Sequence, residues 1–421
     1  MDWARLDLGV GIIALGSLDQ VWSGIEDLVD VVEVEPQTLW PSRAGRGGQQ
    51  LSPEPLAWLQ SCGRPLISHG VGFPVGGTTA PDADGVASSA ASMKALGAVH
   101  WSEHLAFNLA GDAYAGFLLP PVQTPTAVKA AIRHITDYRR IDGRPFLVET
   151  PTNYLQPVDG DLGDGEYVAA IAEGADCGIL LDLHNVWTNE RNGRQSVDHF
   201  IAALPLERVW EVHLAGGFET NGYYLDAHVG PIDPELLALA ARIVPRLPRL
   251  RAIVYEAIPI SLAAQGTRGL RDVLRSMHDI ADLPPQPPRA APLAAAPLAP
   301  APLLDATPTV ARRVATAEAK STAAREAELL AFTTRKSTTM ASDDPGARLI
   351  RSLTDQARLS LLVRDHEADL RALIAALGPA AAEAVLTEFL VASRASIWRD
   401  EQSRAFNGWL ADRPDLCELI A

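Results

Sequence analysis

Eight short apolar runs, each followed by a loop and then by a stretch with helical spacing, recur through roughly the first 280 residues of this chain. They are Leu6–Ile13, Val31–Glu35, Pro65–His69, Val99–His104, Phe146–Glu149, Gly178–Asn185, Val209–Leu214 and Ile253–Ile258. Their apolar character is nearly continuous and rich in Val, Ile and Leu, as expected of strands covered on both faces in a parallel sheet. Between them, stretches such as Leu18–Val29, Pro53–Ser61, Thr124–Ile141, Pro234–Val244 and Thr267–Ile280 read as helices. Eight such units are the size of a closed (β/α)8 barrel, and an open doubly wound sheet is the competing architecture. The expectation is an α/β protein whose residues 1–282 form one barrel.

Residues 284–302 hold eight prolines among nineteen positions, which excludes a helix or an inner strand. Residues 283–308 therefore read as a Pro/Ala-rich linker, and residues 309–421 as a C-terminal α-helical module. Within that module Val310–Phe332 is rich in Ala and Glu. Ile350, Leu353, Ala357 and Leu361 follow helical spacing, Gly378-Pro379 interrupts it, and Ala382–Trp398 resumes it. The net charge of −16 argues against a nucleic-acid surface, and no long uncharged apolar run suggests a membrane span. Cys62, Cys177 and Cys417 are odd in number and far apart, and the N-terminal Met-Asp-Trp-Ala-Arg has no signal-peptide pattern. Both features point to a cytoplasmic protein.

The chemistry lies where the strands end, the catalytic face of such a barrel. The runs finish in Ser68-His69-Gly70, Ser102-Glu103-His104, Glu149-Thr150-Pro151, Asp182-Leu183-His184-Asn185, His213-Leu214-Ala215-Gly216 and Tyr255-Glu256, with Asp226-Ala227-His228 in a loop after the seventh. Any one of these has an ordinary explanation as a core histidine or a paired carboxylate. Together they place many imidazoles and carboxylates on one rim with few Lys or Arg to neutralise them, which is costly unless a metal is bound. Asp182/His184 and Asp226/His228 are each two residues apart, so an extended backbone would point both members the same way. Four carboxylates and at least four histidines suit two or three ions better than one. His134, His199 and His278 read as helix residues, and His100 lies too deep for the site. The glycines of Val75-Gly76-Gly77 and Arg46-Gly47-Gly48 match no phosphate-loop spacing and read as flexible loops over the mouth.

The ordered series Ser68-His69-Gly70, Ser102-Glu103-His104-Leu105, Glu149 with Tyr154-Leu155, Asp182 with Asn185, His213-Leu214-Ala215-Gly216, Asp226-Ala227-His228 and Glu256 with Ile258-Pro259 resembles the multinuclear non-haem iron-dependent oxidative enzymes. The resemblance runs from about Gly9 to Pro259. It implies a xylose-isomerase-like (β/α)8 barrel holding two or three irons of mixed ferrous and ferric state. It further implies dioxygen as co-substrate and a ribosomally synthesised precursor peptide, most often modified at cysteine, as substrate. A substrate thiolate would then occupy an open metal position while hydrogen is removed from the carbon beside sulfur. Carried over by position, the ligands are His69, His104, Glu149, Asp182, His213, Asp226, His228 and Glu256. His184 and Asn185 stand where relatives carry two adjacent asparagines, and they are included as candidate ligands. Thr150-Pro151 and Ala257 also depart from the family pattern, which leaves the particular reaction open.

Such enzymes commonly work with a partner protein that captures the precursor, so the helical module reads either as a fused recognition module or as a dimerisation arm. The long loops Arg43–Gln50, Gly72–Gly85 and Gly216–Tyr224 are expected to frame a peptide-sized groove. Two rival functions share the ligand pattern. One is a redox-inert divalent-metal hydrolase or isomerase acting on a phosphodiester or sugar; the other is a peptide-binding scaffold with a structural metal.

Overall fold

The computed structural model describes residues 4–16, 18–40, 51–286, 321–340 and 343–420. Eight parallel strands close into a barrel: β1 Gly9–Ile13, β2 Val31–Val34, β3 Leu66–Gly70, β4 Trp101–His104, β5 Phe146–Glu149, β6 Gly178–Asp182, β7 Val209–Ala215 and β8 Ala252–Glu256. They neighbour one another in chain order, and β1 pairs with β8 from Gly9 opposite Ala252 to Ile12 opposite Tyr255. The eightfold alternation thus forms the closed barrel and not the open sheet.

Alternation along each strand builds two different environments. Outward residues such as Val10, Ile12, Val32, Val34, Val148, Ile179, Leu181, Val212, Leu214 and Ile253 are fully buried against the surrounding helices. Helix Pro125–Ile141 shows the complementary pattern, with Ala127, Val128, Ala131, Ile135 and Tyr138 on its inner stripe, and Thr124 caps it by accepting from the Ala127 amide. Inside the barrel, Leu8, Val31, Ile67, Ala252 and Val254 form a small apolar plug at the N-terminal end of the strands. Above the plug the inward positions become polar.

Several local expectations are corrected. The sixth run was expected to stay extended to Asn185, yet the strand stops at Asp182 and helix Leu183–Arg191 begins. Asp182 ends it by acting as the N-cap, accepting from the Asn185 amide at 2.8 Å. Leu18–Val29 is a short α-turn, Leu18–Val21, followed by two 3₁₀ turns, and Thr267–Ile280 belongs to a longer helix, Pro259–Ala281, broken at Gly266. The Gly216–Tyr224 loop is largely a hairpin, Gly217–Thr220 with Tyr223–Asp226, turned by Asn221 and Gly222 at positive φ. Another unexpected hairpin, the first of the two along the chain, joins Phe107–Ala110 to Ala113–Leu119 after β4. Gly76 is not a flexible mouth residue: it is buried where a Cβ would press on the Leu105–Ala106 backbone. Loop Arg43–Gln50, including Arg46-Gly47-Gly48, lies outside the described residues, as do most of the 283–308 segment and Val310–Lys320.

The C-terminal residues form helices Thr322–Thr333, Pro345–Leu377, Pro379–Ala392, Arg399–Ala411 and Pro414–Ile420. The expected Ala382–Trp398 helix therefore stops at Ala392. Leu329, Leu330, Phe332, Ala347 and Ile350 pack with Phe107, Ala115, Leu119, Tyr154 and Leu225, so these helices cover the first hairpin and the rim beside it. Arg325 grips Asp161 through two bonds of 2.7 and 2.6 Å, the Gln156 amide donates to Asp344 at 2.9 Å, and Trp398 stacks on Trp40 at 5.5 Å. Leu362, Leu373, Phe389, Leu390, Phe406 and Leu410 make a separate small core farther out.

The tightest point of this docking is Gly346, where any Cβ would collide with the Tyr154 carbonyl. Gly346→Ala should loosen the seam at Tyr154 while leaving the barrel's outer helices packed. Amide exchange in Thr322–Thr333 is expected to accelerate about tenfold or more, while helix Pro125–Ile141 keeps its protection. Unchanged exchange in both helices would show that the seam tolerates the methyl group.

Candidate metal centre

Each barrel strand from β3 to β8 carries an imidazole or carboxylate at or near its C-terminal end, and the closed sheet brings them together. His104 Nε2 lies 2.9 Å and His69 Nε2 3.3 Å from the same oxygen, Oε2 of Glu149. His213 Nδ1 lies 3.2 Å from Glu256 Oε2 and 3.9 Å from Glu149 Oε1. The second hairpin delivers Asp226, and the turn behind it delivers His228, whose Nε2 is 2.9 Å from Asp226 Oδ1 and 3.5 Å from Glu256 Oε2. Donor atoms of His69, His104 and Glu149 fall within 4.8 Å of one another, as do those of Glu149, Asp182, His213 and Glu256. Glu149 belongs to both groups.

The far side of several ligand-type side chains is anchored. His69 Nδ1 meets Ser102 Oγ at 2.9 Å, and His104 Nδ1 donates to the Gly70 carbonyl at 2.9 Å. Anchoring one nitrogen aims the other, with its lone pair, at the ring. His184, at the start of its helix and not on a strand, holds Asp226 Oδ1 through Nδ1 at 3.1 Å. The pairing expected of Asp182 and His184 as strand neighbours is replaced by this link between helix and hairpin. Asn185 joins the ring only indirectly: its side-chain amide donates to the Thr150 carbonyl, and its oxygen accepts from Thr152. The inner atoms tell the complementary story. Glu149 Oε2, Asp182 Oδ2, His184 Nε2, His213 Nδ1 and Glu256 Oε2 are buried, and beyond their close approaches to one another and to His69, His104 and His228 they have no hydrogen-bond partner. Buried polar atoms are nearly always satisfied, and a shared cation satisfies several at once. Oxygen and imidazole donors without thiolate suit borderline and hard transition ions.

Electrostatics argue the same way. Burial and then the charges of Glu256 and Asp226 push the Asp182 carboxyl well above its usual range. Burial also opposes ionisation of Glu149, but facing His104 and His69 outweigh it and hold that carboxyl well below the usual range. Conversely, burial disfavours a charged His104, yet Glu149 overrides it and lifts the imidazole to about 10. The ion-pair partners of these ring carboxylates among the described residues are all histidines.

Residues 16–257 match the family model described as RiPP precursor modification enzyme MbnB/TglH/ChrH, where RiPP denotes a ribosomally synthesised and post-translationally modified peptide. The chain belongs to this family. The matched segment ends one residue past β8, so it takes in the whole ring and excludes the C-terminal helices. Among curated relatives, a UPF0276 protein of Chromobacterium violaceum is 31% identical over 205 residues, which is 48% of this chain and 74% of that protein. A second, from Anaeromyxobacter sp., is 30% identical over 224 residues, 52% of this chain and 79% of its own. Among solved structures, a xylose isomerase domain protein from Planctomyces limnophilus aligns with TM-score 0.43 at 13% identity, covering 66% of this chain and 97% of that one. Endonuclease IV from Thermus thermophilus aligns with TM-score 0.41 at 16% identity, covering 64% and 98%.

In this RiPP-modifying enzyme the sequence reading missed a set of acidic residues around the ring. Glu33 on β2 and Glu211 on β7 are fully buried beneath it, and Glu35 at the end of β2 is partly exposed above. The period-two register Val31/Glu33/Glu35 and Glu211/His213 carried the signal, because a carboxylate at an inward strand position has no apolar reason to be there. His100, set aside as too deep, indeed sits lower and pairs with Glu211 at 2.7 Å.

The His104 shift predicts how the metal-free protein responds to pH. Its folded value, about 10, lies above the ordinary 6.5, so this pairing stabilises fully below about pH 6.5 and is lost as pH rises toward 10. The melting temperature of metal-free protein should therefore fall across that interval, and His104→Gln should flatten the fall. A wild-type profile that is level or rising there would contradict the pairing.

Proposed function

We propose that the ring binds two or three iron ions of mixed ferrous and ferric state, and that the enzyme uses dioxygen to oxidise a ribosomally synthesised precursor peptide at cysteine. The observation that carries this reading is the sharing of Glu149 between two adjacent donor groups. One carboxylate with Oε2 toward His69 and His104 and Oε1 toward His213 would serve both donor groups were each to hold an ion. In this reading His69, His104, Glu149, Asp182, His213, Asp226, His228 and Glu256 supply the ligands. His184 orients Asp226 and keeps Nε2 free as a further donor, and Asn185 braces the loop after β5. Bound iron would supply reduction of dioxygen and a Lewis-acidic position for a substrate thiolate.

The chain's own residues do the rest. Glu35, raised to about 7 by burial and the nearby Glu256 charge, has the proton affinity to take up the thiol proton near neutral pH. The apolar plug below and the hairpins above restrict water around the ring. Residues 309–421, joined through the 283–308 linker, act as a fused module that recognises the precursor, keeping it near the mouth at high effective concentration. Docking of the described helices against the rim supports that role. The three cysteines are free, which suits a reducing cytoplasm, and no described helix is long and apolar enough to cross a membrane.

Iron-loaded enzyme incubated in air with the precursor peptide encoded beside it is expected to consume oxygen and change the peptide's mass at a cysteine. Glu149→Gln should lower bound iron by at least one equivalent and reduce turnover by about two orders of magnitude or more. Protein that retains zinc alone, takes up no iron and leaves the peptide unaltered would defeat the oxidative reading in favour of redox-inert chemistry.

A further inference from the structure

Below the ring lies a second buried polar group with no role in the proposed ligand set. Glu33, Glu211 and His100 are each 1% exposed or less, in a barrel layer where branched apolar side chains are the rule. They form a chain that ends on one ring residue. His100 Nε2 is 2.7 Å from Glu211 Oε2, Glu211 Oε1 is 3.5 Å from His213 Nε2, and Glu33 Oε2 is 3.0 Å from the same nitrogen. His213 thus touches both layers, with Nε2 facing Glu33 and Glu211 and Nδ1 facing Glu256 in the ring.

An imidazole that donates a lone pair to a metal must carry its proton on the other nitrogen. Two carboxyl groups crowd Nε2, Glu33 Oε2 at 3.0 Å and Glu211 Oε1 at 3.5 Å, and a carboxylate oxygen accepts from an N–H, so this surrounding favours the proton on Nε2. Nδ1 is then left as the donor into the ring, and it is among the buried atoms lacking a hydrogen-bond partner. We infer that Glu33, backed by the Glu211–His100 pair, is a positioning residue that locks His213 with its proton on Nε2 and presents Nδ1 to the metal. Burying two carboxylates between the plug and the ring is expensive, and fixing a ligand in place is a use that offsets the cost. The role of Glu211 is to crowd Nε2 from the second side, and that of His100 is to hold Glu211 in place from the opposite wall of the barrel.

This inference rests on the metal reading of the ring, and the experiment separates the two. Full-length wild type, Glu33→Gln, Glu33→Leu and Glu211→Gln are titrated anaerobically with Fe2+ against a competing chelator. Their Co2+-loaded forms are compared by visible absorption, and the melting temperature of each metal-free protein is recorded. Glu33→Leu, which removes the acceptor, is expected to weaken metal binding about 10- to 100-fold and to shift the Co2+ spectrum. Glu33→Gln keeps an oxygen acceptor and should recover part of that loss, and Glu211→Gln should show a smaller loss than Glu33→Leu. Should Glu33→Leu not fold, the two Gln variants carry the test. Wild-type affinity and spectrum in both Gln variants would overturn the positioning role, as would variants that melt earlier but bind metal normally. Loss of one whole ion with the remaining affinity unchanged would also overturn it, because Glu33 and Glu211 would then be ligands of a lower site. Wild type that binds neither metal would refute the metal reading itself, a result distinct from all of these.

Discussion

Everything at the mouth of this barrel depends on one unfavourable fact: several carboxylates are buried within a few ångströms of one another, with histidines as their only ion partners among the described residues. Glu149, Asp182 and Glu256 are at most 3% exposed, and in that environment like charges repel through a low dielectric. The conflict is visible in the opposite directions forced on neighbours, with Asp182 driven to hold its proton while Glu149 is driven to lose its own. Burying charge without compensation is among the most destabilising things a core can do. A shared cation turns the same crowding into coordination, because every inward lone pair then has a common target. The arrangement is therefore one that a bound cation would relieve, and it lies within the part of the chain that matches the RiPP-modifying family.

The fold answers that demand by separating tasks along the barrel axis. The sheet's outward residues and the surrounding helices form the large apolar core, so stability does not depend on the interior alone. The interior can then be graded, from the small plug around Val31, Ile67 and Val254, through the Glu33–Glu211–His100 layer, to the ring. Parallel register makes this possible: β7 and β8 align His213 beside Val254 and Ala215 beside Glu256, so inward residues of neighbouring strands fall at adjoining heights.

How much of this was legible depended on whether a feature had a period. The eight strands were readable because buried parallel strands are apolar on both faces, and the candidate ligand residues were readable because they recur at or near the strand ends. His184 and Asn185 were misplaced on a strand, since Leu181, Asp182 and Leu183 continue an apolar run and only the capping of the Asn185 amide by Asp182 reveals the helix. The hairpin that carries Asp226 was read as a loop because its strands are four residues long and half exposed, although Asn221-Gly222 is a strong two-residue turn signal. Glu33 and Glu211 were overlooked for a different reason. They lie deeper in their strands than the ends where the other candidate residues cluster, and a single acid inside Val31-Val32-Glu33-Val34 looks like an exception to a strand when it is in fact part of a buried network.

The contact between the C-terminal helices and the barrel could not have been inferred from either part alone, since it runs through a barrel residue that also holds the site's hairpin. Tyr154 packs with Leu329, Phe332 and Ile350, and its carbonyl marks the place where Gly346 must lack a side chain. Its hydroxyl oxygen meanwhile accepts from the Asp226 amide at 3.1 Å, fixing the backbone that presents Asp226 to His184 and His228. A change in how the helices sit on the rim must therefore move either the Tyr154 ring or the hairpin it holds. Both lie next to the most exposed ligand-type carboxylate of the ring, so the geometry at the mouth is not a property of the barrel by itself. The helices complete a wall of the site even where they contribute no ligand.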